Sequence, residues 1–293
     1  MTESLGTILT AMVTPFDADL AVDHDKLAAL AAHLVDDGSD GLVVAGTTGE
    51  SPTLDDEEKT AMFRTVVAAV GGRATVVAGT GSNDTRHSVE LTRAAEACGV
   101  DGVLVVTPYY NKPPERGLLA HFRAVAAATS LPLIVYNIPG RSGVNLNAEA
   151  LATLAEVDNI IAVKQADPDL GQLRRLKELS DVGLYAGNDD MLLDVLELGG
   201  WGGICVASHV VGPRLAEMAR LVRSGEHERA AALDADLRGL YEALFVTSNP
   251  IPVKEAMNLL GHEVGGLRLP LVSATAEESA TVAAALHRLG LLP

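Results

Sequence analysis

Eight short apolar runs recur along the chain, at residues 8–14, 42–45, 75–78, 103–106, 133–136, 160–164, 183–186 and 203–206. Each has the length of a strand, and each gap leaves room for one crossover helix. The segments between the runs carry helical period. "HDKLAALAAHLVDDG" places apolar residues at i, i+3 and i+4 and stops at Gly38. "TLDDEEKTAMFRTVVAAVGG" opens on Thr53 as a candidate N-cap, continues with acids suited to a helix N-terminus, and ends on two glycines. Alternating strands and helices predict a parallel sheet. Runs such as "GLVVA", "GVLVV" and "LIVY" are apolar on nearly every residue, as strands covered on both faces must be. Eight such units predict a closed (β/α)8 TIM barrel. A doubly wound open sheet is the alternative, but no G-x-G-x-x-G follows the first strand.

Strand signals stop after Val206, and the remainder is helical in pattern. The expected organisation is a barrel core over 1–207, then a barrel-closing helix and a small C-terminal helical extension over 208–293. Hydrophobic residues make up 48% of the chain, enough for a large buried core. The formal charge of −17 argues against phosphate-rich partners, so neither nucleic acid nor an anionic membrane is expected to bind. Cys98 and Cys205 lie in apolar contexts and read as buried small hydrophobes, not as a disulfide framework. The first residues show no basic region and no long apolar run, and no stretch approaches the ~20 apolar residues of a membrane span. A soluble, cytoplasmic protein is the expectation.

In a parallel barrel, reactive groups come from the C-terminal strand ends and the loops after them. Lys164 stands out there. Lys26, Lys59, Lys112, Lys177 and Lys254 lie in polar helix or loop contexts, where a solvated charge is the plain reading, whereas Lys164 closes the apolar run "NIIAVK". Two readings fit it: an amine reaching solvent from the strand end, or a desolvated nucleophile. In water roughly one lysine amine in 2,500 is neutral at pH 7, and burial favours the neutral, reactive form. Tyr136 ends the preceding strand and would lie beside Lys164, where a phenol can shuttle protons. Tyr109, Tyr110 and Tyr185 also fall at strand ends, where packing is the commoner use. "GTTGES" (46–51) is either a tight turn or a nest of N–H groups for a carboxylate. Arg141 in "PGRSG" is either an exposed loop residue or a bidentate carboxylate grip. His87, His121, His209 and His262 are isolated, so no metal site is expected. G-x-S-x-G and Walker loops are missing, which argues against hydrolase and kinase chemistry.

The segments "GTTGES", "VTPYYNKPP", "YNIPGRSG", "AVK" and "NPIPVKEAMNLLG", in this order and spacing, resemble the dihydrodipicolinate synthase family. That family sits in a wider group of pyruvate-dependent lyases and aldolases that includes N-acetylneuraminate lyase. The resemblance implies a lyase without metal or organic cofactor that joins pyruvate to aspartate semialdehyde. It implies that Lys164 forms a Schiff base with pyruvate and that Tyr136 donates and accepts protons. It further implies a relay through Thr47 and Tyr110, with Tyr110 serving a neighbouring subunit's site in a homo-oligomer, expected as a tetramer built of two dimers. Thr48 and the main chain of Ile204 would hold pyruvate's carboxylate region. Arg141 would hold the carboxylate of the aldehyde. Gln165 and Asn188 depart from the family pattern, which has acids there, and each removes a negative charge near the site. Where family members are inhibited by lysine, the effector lies near the positions of Ser51, Asn83, His87 and Tyr109. A glutamate is the usual residue at the position of His87, so weak inhibition is expected here. Two rival readings remain: a related aldolase or dehydratase acting on another 2-keto acid, and a catalytically silent barrel that binds a small molecule.

Overall fold

In the computed structural model, which describes residues 4–292, the eight runs form eight parallel strands. In chain order the first half comprises β1 (Ile8–Ala11), α1 (His24–Asp36), β2 (Gly41–Val44), α2 (Asp56–Val70), β3 (Thr75–Gly79), α3 (Thr85–Glu96), β4 (Gly102–Val106) and α4 (Glu115–Ala126). There follow β5 (Leu133–Asn137), α5 (Pro139–Ser142), α6 (Ala148–Leu154), β6 (Ile160–Gln165), α7 (Leu170–Leu179), β7 (Gly183–Ala186), α8 (Leu192–Glu197) and β8 (Gly202–Cys205). The chain ends in α9 (Ser208–Arg223), α10 (His227–Leu244), α11 (Ile251–Leu259) and α12 (Ala276–Arg288). β1 pairs with β2 on one side and β8 on the other, so the barrel is closed and no sheet edge remains. The (β/α)8 expectation therefore holds and the open sheet does not.

The apolar runs serve two layers at once. Leu9, Val43, Val77, Leu104, Ile134 and Ile204 point inward and fill the barrel axis. Their neighbours Ile8, Val44, Val76, Val103 and Val135 point outward against the helices. This two-sided burial is why the strands lack polar alternation. Tyr185 belongs to the inner layer. Its hydroxyl donates to the Gly6 carbonyl at 2.9 Å and its ring meets Trp201 edge-on, at the end of the barrel that receives the N-terminus.

Two local expectations are corrected. β1 stops at Ala11, not at Thr14, because Thr14 leaves the sheet and its hydroxyl donates to the Gly49 carbonyl at 2.6 Å. The N-cap of α2 is Asp55, which shares a capping box with Glu58. Thr53 instead closes a short 3-10 turn and donates its hydroxyl to the Glu50 carbonyl at 3.0 Å. Beyond the strands, α9 packs on β1 and on α8, α10 and α11 pack on α9, and α12 packs on α10 and α11.

Candidate active site

The C-terminal ends of the strands open on a cavity of about 210 Å³ whose lining includes Thr47, Tyr109, Tyr136, Ile138, Arg141 and Ser142. Its wall along β3 is bare backbone. A side chain at Gly79 would stand 2.4 Å from the Ala45 carbonyl oxygen, and one at Gly81 2.3 Å from the Val106 nitrogen. Only glycine lets neighbouring main chains approach so closely. Tyr136 ends β5 one residue early and is paired in register with Lys164 of β6. The two side chains therefore emerge side by side, and the Lys164 Nζ lies 4.1 Å from the centre of the Tyr136 ring. Lys164 is buried, and among the described residues it has no ion-pair partner. An amine in that setting gains from the aromatic face but has no carboxylate within salt-bridge distance among the described residues, which suits a group that must react rather than bind.

Loop 46–51 forms the rim opposite. Ala45 and Glu50 both take left-handed backbone angles (φ 54° and 58°), and the amides of Gly49 and Ser51 bond back to the Gly46 carbonyl. Tyr110 (φ 74°) and Lys112 (φ 46°) are left-handed too. Non-glycine residues held this way are costly and gather at functional sites. The loop is gripped from behind by the C-terminal segment. The Asn249 amide donates to the Thr48 hydroxyl at 2.9 Å, while the Asn249 carbonyl accepts from Arg141 at 3.2 Å. Lys254 meets Glu50 at 2.8 Å, with both side chains fully enclosed. The other Glu50 oxygen accepts the Arg268 amide at 3.1 Å. Lys254 also donates to the Gly266 carbonyl and lies 4.3 Å from the Phe16 ring centre. Burial pulls its amine below the ordinary lysine range, and Glu50 pulls it back up.

The expectation that five lysines are solvated is thus wrong for Lys254, and also for Lys59, which is buried 3.6 Å from Asp56. The partner of Lys254 lies 204 residues away in sequence, so local context could not show it. A signal did exist: Lys254 falls on the α11 stripe that buries Ile251, Val253 and Met257.

Of the anticipated site residues, Thr47, Tyr136 and Arg141 share the cavity, with Lys164 beside Tyr136. Ile204 lies in the barrel axis below. Thr48 is buried behind the rim with its hydroxyl on Asn249. Tyr110 stands apart, 87% exposed on the outer surface. Gln165 is buried with neither side-chain polar atom bonded, and the Asn188 amide lies 3.6 Å from the Met191 sulfur. Sequence reading missed Asn249, Glu50 and the buried Asp189. Among the described residues no three His, Cys, Asp or Glu side chains converge as a metal ion would require.

Comparison with known proteins agrees with this architecture. A 4-hydroxy-tetrahydrodipicolinate synthase of Moorella thermoacetica is 55% identical over 289 residues, covering 98% of this chain and 99% of its own. A solved dihydrodipicolinate synthase of Cyanidioschyzon merolae with lysine bound superposes with a TM-score of 0.97 at 46% identity, covering 98% of this chain and 99% of that one. A chloride-inhibited dihydrodipicolinate synthase of Acinetobacter baumannii, complexed with pyruvate, gives 0.96 at 35% identity over 99% and 100% of the two chains. Residues 4–289 match the dihydrodipicolinate synthetase family, and the chain belongs to that family.

Proposed function

We propose that the protein is a 4-hydroxy-tetrahydrodipicolinate synthase, a lyase that condenses pyruvate with (S)-aspartate 4-semialdehyde through a lysine Schiff base. The observation that carries the reading is Lys164, a buried amine that forms no ion pair among the described residues, set against the Tyr136 ring at the mouth of a closed barrel. Lys164 attacks the ketone carbon of pyruvate. The Tyr136 hydroxyl, with Thr47, passes protons as the carbinolamine loses water. The imine draws electrons from the methyl group, which loses a proton to give an enamine. The enamine carbon attacks the aldehyde, and the substrate's own amine then displaces Lys164 to close the ring. The lysine supplies the electrophilic activation. Thr48 and the Ile204 main chain hold pyruvate's carboxylate end. Arg141, on the cavity wall, receives the carboxylate of the aldehyde. We infer that Tyr110 completes the relay from a second copy of the chain, since its own cavity does not include it.

One paired experiment tests the assignment. Lys164→Ala and Lys164→Arg should both abolish borohydride trapping of pyruvate, since a guanidinium keeps its proton. Arg141→Ala should still trap pyruvate yet lose ~10- to 100-fold in kcat/KM for the aldehyde, the worth of a charged bidentate contact. Labelling of Lys164→Ala at the wild-type rate would end the Schiff-base reading. Equal loss of trapping in Arg141→Ala would give that arginine a structural part instead.

The resemblance also bears on lysine. A groove of about 450 Å³ includes Ser51, Asp56, Asn83, His87 and Tyr109 in its lining. The Asp56 carboxylate there already faces the His87 ring at 2.9 Å and Lys59 at 3.6 Å. A ligand ammonium would have to displace one of them, so we infer weak inhibition by lysine. Titration into the assay should give half-inhibition above ~1 mM, and a value well below that would overturn the inference. His87→Glu should tighten it.

A further inference from the structure

Asp189, on the turn after β7, is a buried carboxyl group to which the mechanism above assigns no part. Its two oxygens accept the amides of Val206 at 2.8 Å and Ala207 at 3.0 Å. These amides follow Ile204 by two and three residues, at the point where β8 turns into α9. The Cys205 thiol and the Lys164 amine both lie close enough to favour its ionised form. α10 presents Tyr241, whose buried hydroxyl has no hydrogen-bond partner among the described residues. Behind Tyr241, Asp234 bonds Arg238 at 2.7 Å through one oxygen and leaves the other unpaired. A cavity of about 300 Å³ joins Asp189, Tyr241 and Arg238.

We propose that Asp189 is a positioning residue for the Schiff-base step: while ionised, its carboxylate pins the Val206–Ala207 turn, and through it holds the Ile204 main chain in register with Lys164. The proposal rests on the reading that Lys164 takes the ketone. An ionised carboxylate accepts both amides, one on each oxygen. Once protonated, the oxygen that carries the hydrogen is a poor acceptor, and the amide bond made to it is weakened. Burial pushes this carboxyl up to about 6, against the pull of the two amides, the Cys205 thiol and the Lys164 amine. Tyr241 faces it from α10 as a neutral phenol, its own ionisation pushed far up by burial. Asp190 and Asp194 bear on Asp234. The turn is therefore held firmly above pH 6 and loosened below it.

The test is the rate at which cyanoborohydride traps pyruvate on the enzyme between about pH 5 and pH 8, read as the ratio of wild type to Asp189→Asn. Loss of the carboxylate's charge disfavours the charged form of the nearby amine and so speeds the variant, which means that a ratio above 1 reads positioning alone. The expected ratio is ~10 or more at pH 8, the worth of one charge-assisted bond, falling toward 1 near pH 5. A ratio that does not change with pH would overturn the proposal. Should Asp189→Asn fail to fold, Cys205→Ala carries the test, because it leaves the carboxylate in place and removes a group that favours its ionised form. Its Asp189 should protonate at higher pH, so the ratio to wild type should peak between about pH 6 and pH 7; a flat ratio is the overturning result. Wild-type enzyme that takes no label would remove the Schiff-base reading and this proposal with it. Labelled wild type with a constant ratio removes this proposal alone.

Discussion

His209 is held as one tautomer by its neighbours. The Val13 amide donates to Nε2 at 3.1 Å, so the proton resides on Nδ1, which donates to the Val206 carbonyl at 2.8 Å. Burial, helped by the nearby His262 and His33 rings and opposed by the Val206 carbonyl, brings its pKa to about 4. His121, under α4 with its Nδ1 3.0 Å from the Thr85 hydroxyl, is also brought to about 4 by burial. In the unfolded chain both titrate near 6.5, so the unfolded state takes up protons first. Their stabilisation is full above pH 6.5 and is lost as pH falls toward 4, on the order of 3 kcal/mol each. Asp189 has the opposite sign. Its raised pKa makes folding more favourable as pH falls from 6 toward 3.8, by a similar single amount. The sum predicts that the urea midpoint drops between pH 7 and pH 4.5, by a few kcal/mol in stability; a flat profile would show that these rings are not buried neutral. At this scale Lys164 was legible because an apolar strand that ends in a charge is a local anomaly. Asn249 and Lys254 were harder to read because their partners Thr48 and Glu50 lie 201 and 204 residues away, and Asp189 because its partners are main-chain amides, which no side-chain pattern announces.

Among elements, the strands were readable almost to the residue, since burial on both faces leaves an unbroken apolar run. The rim loop was readable as a motif but not as a mechanism. Its shape depends on α11 and the segment after it, through Glu50–Lys254, Asn249–Thr48 and Arg268, whose guanidinium bonds Glu58 and lies 4.6 Å from the Phe16 ring centre. Removing one member of such an enclosed pair leaves the other as an unpaired buried charge, at about 3–5 kcal/mol, whereas removing both costs far less. Lys254→Met should therefore lower thermal stability sharply and raise KM for pyruvate, because Thr47 and Thr48 lose their backing. The double variant Glu50→Gln, Lys254→Met should recover most of the stability but not the KM. Recovery of both would mean that the pair supports the fold and leaves the rim unaffected.

For the whole molecule, the informative residue is the one that does not belong to its own site. Tyr110 puts an aromatic ring 87% into solvent from a left-handed backbone position, a costly arrangement for a surface with no partner. We predict that light scattering gives a multiple of the chain mass, and that Tyr110→Phe lowers turnover with the fold intact. Full activity at the mass of one chain would refute this.

The grip of the C-terminal segment on the rim has a consequence in time. β1 cannot close on β8, nor Glu50 find Lys254, until the far partner has been made. Roughly 90 residues separate Lys164 from Lys254, which at ~5–20 residues per second is about 5–20 s of translation. Throughout that interval the ribosome carries a chain that already has Lys164 and Tyr136 but not the residues that brace the rim facing them. Synthesis order thus acts as a built-in delay, leaving the cavity mouth unsupported until residue 254 has been made.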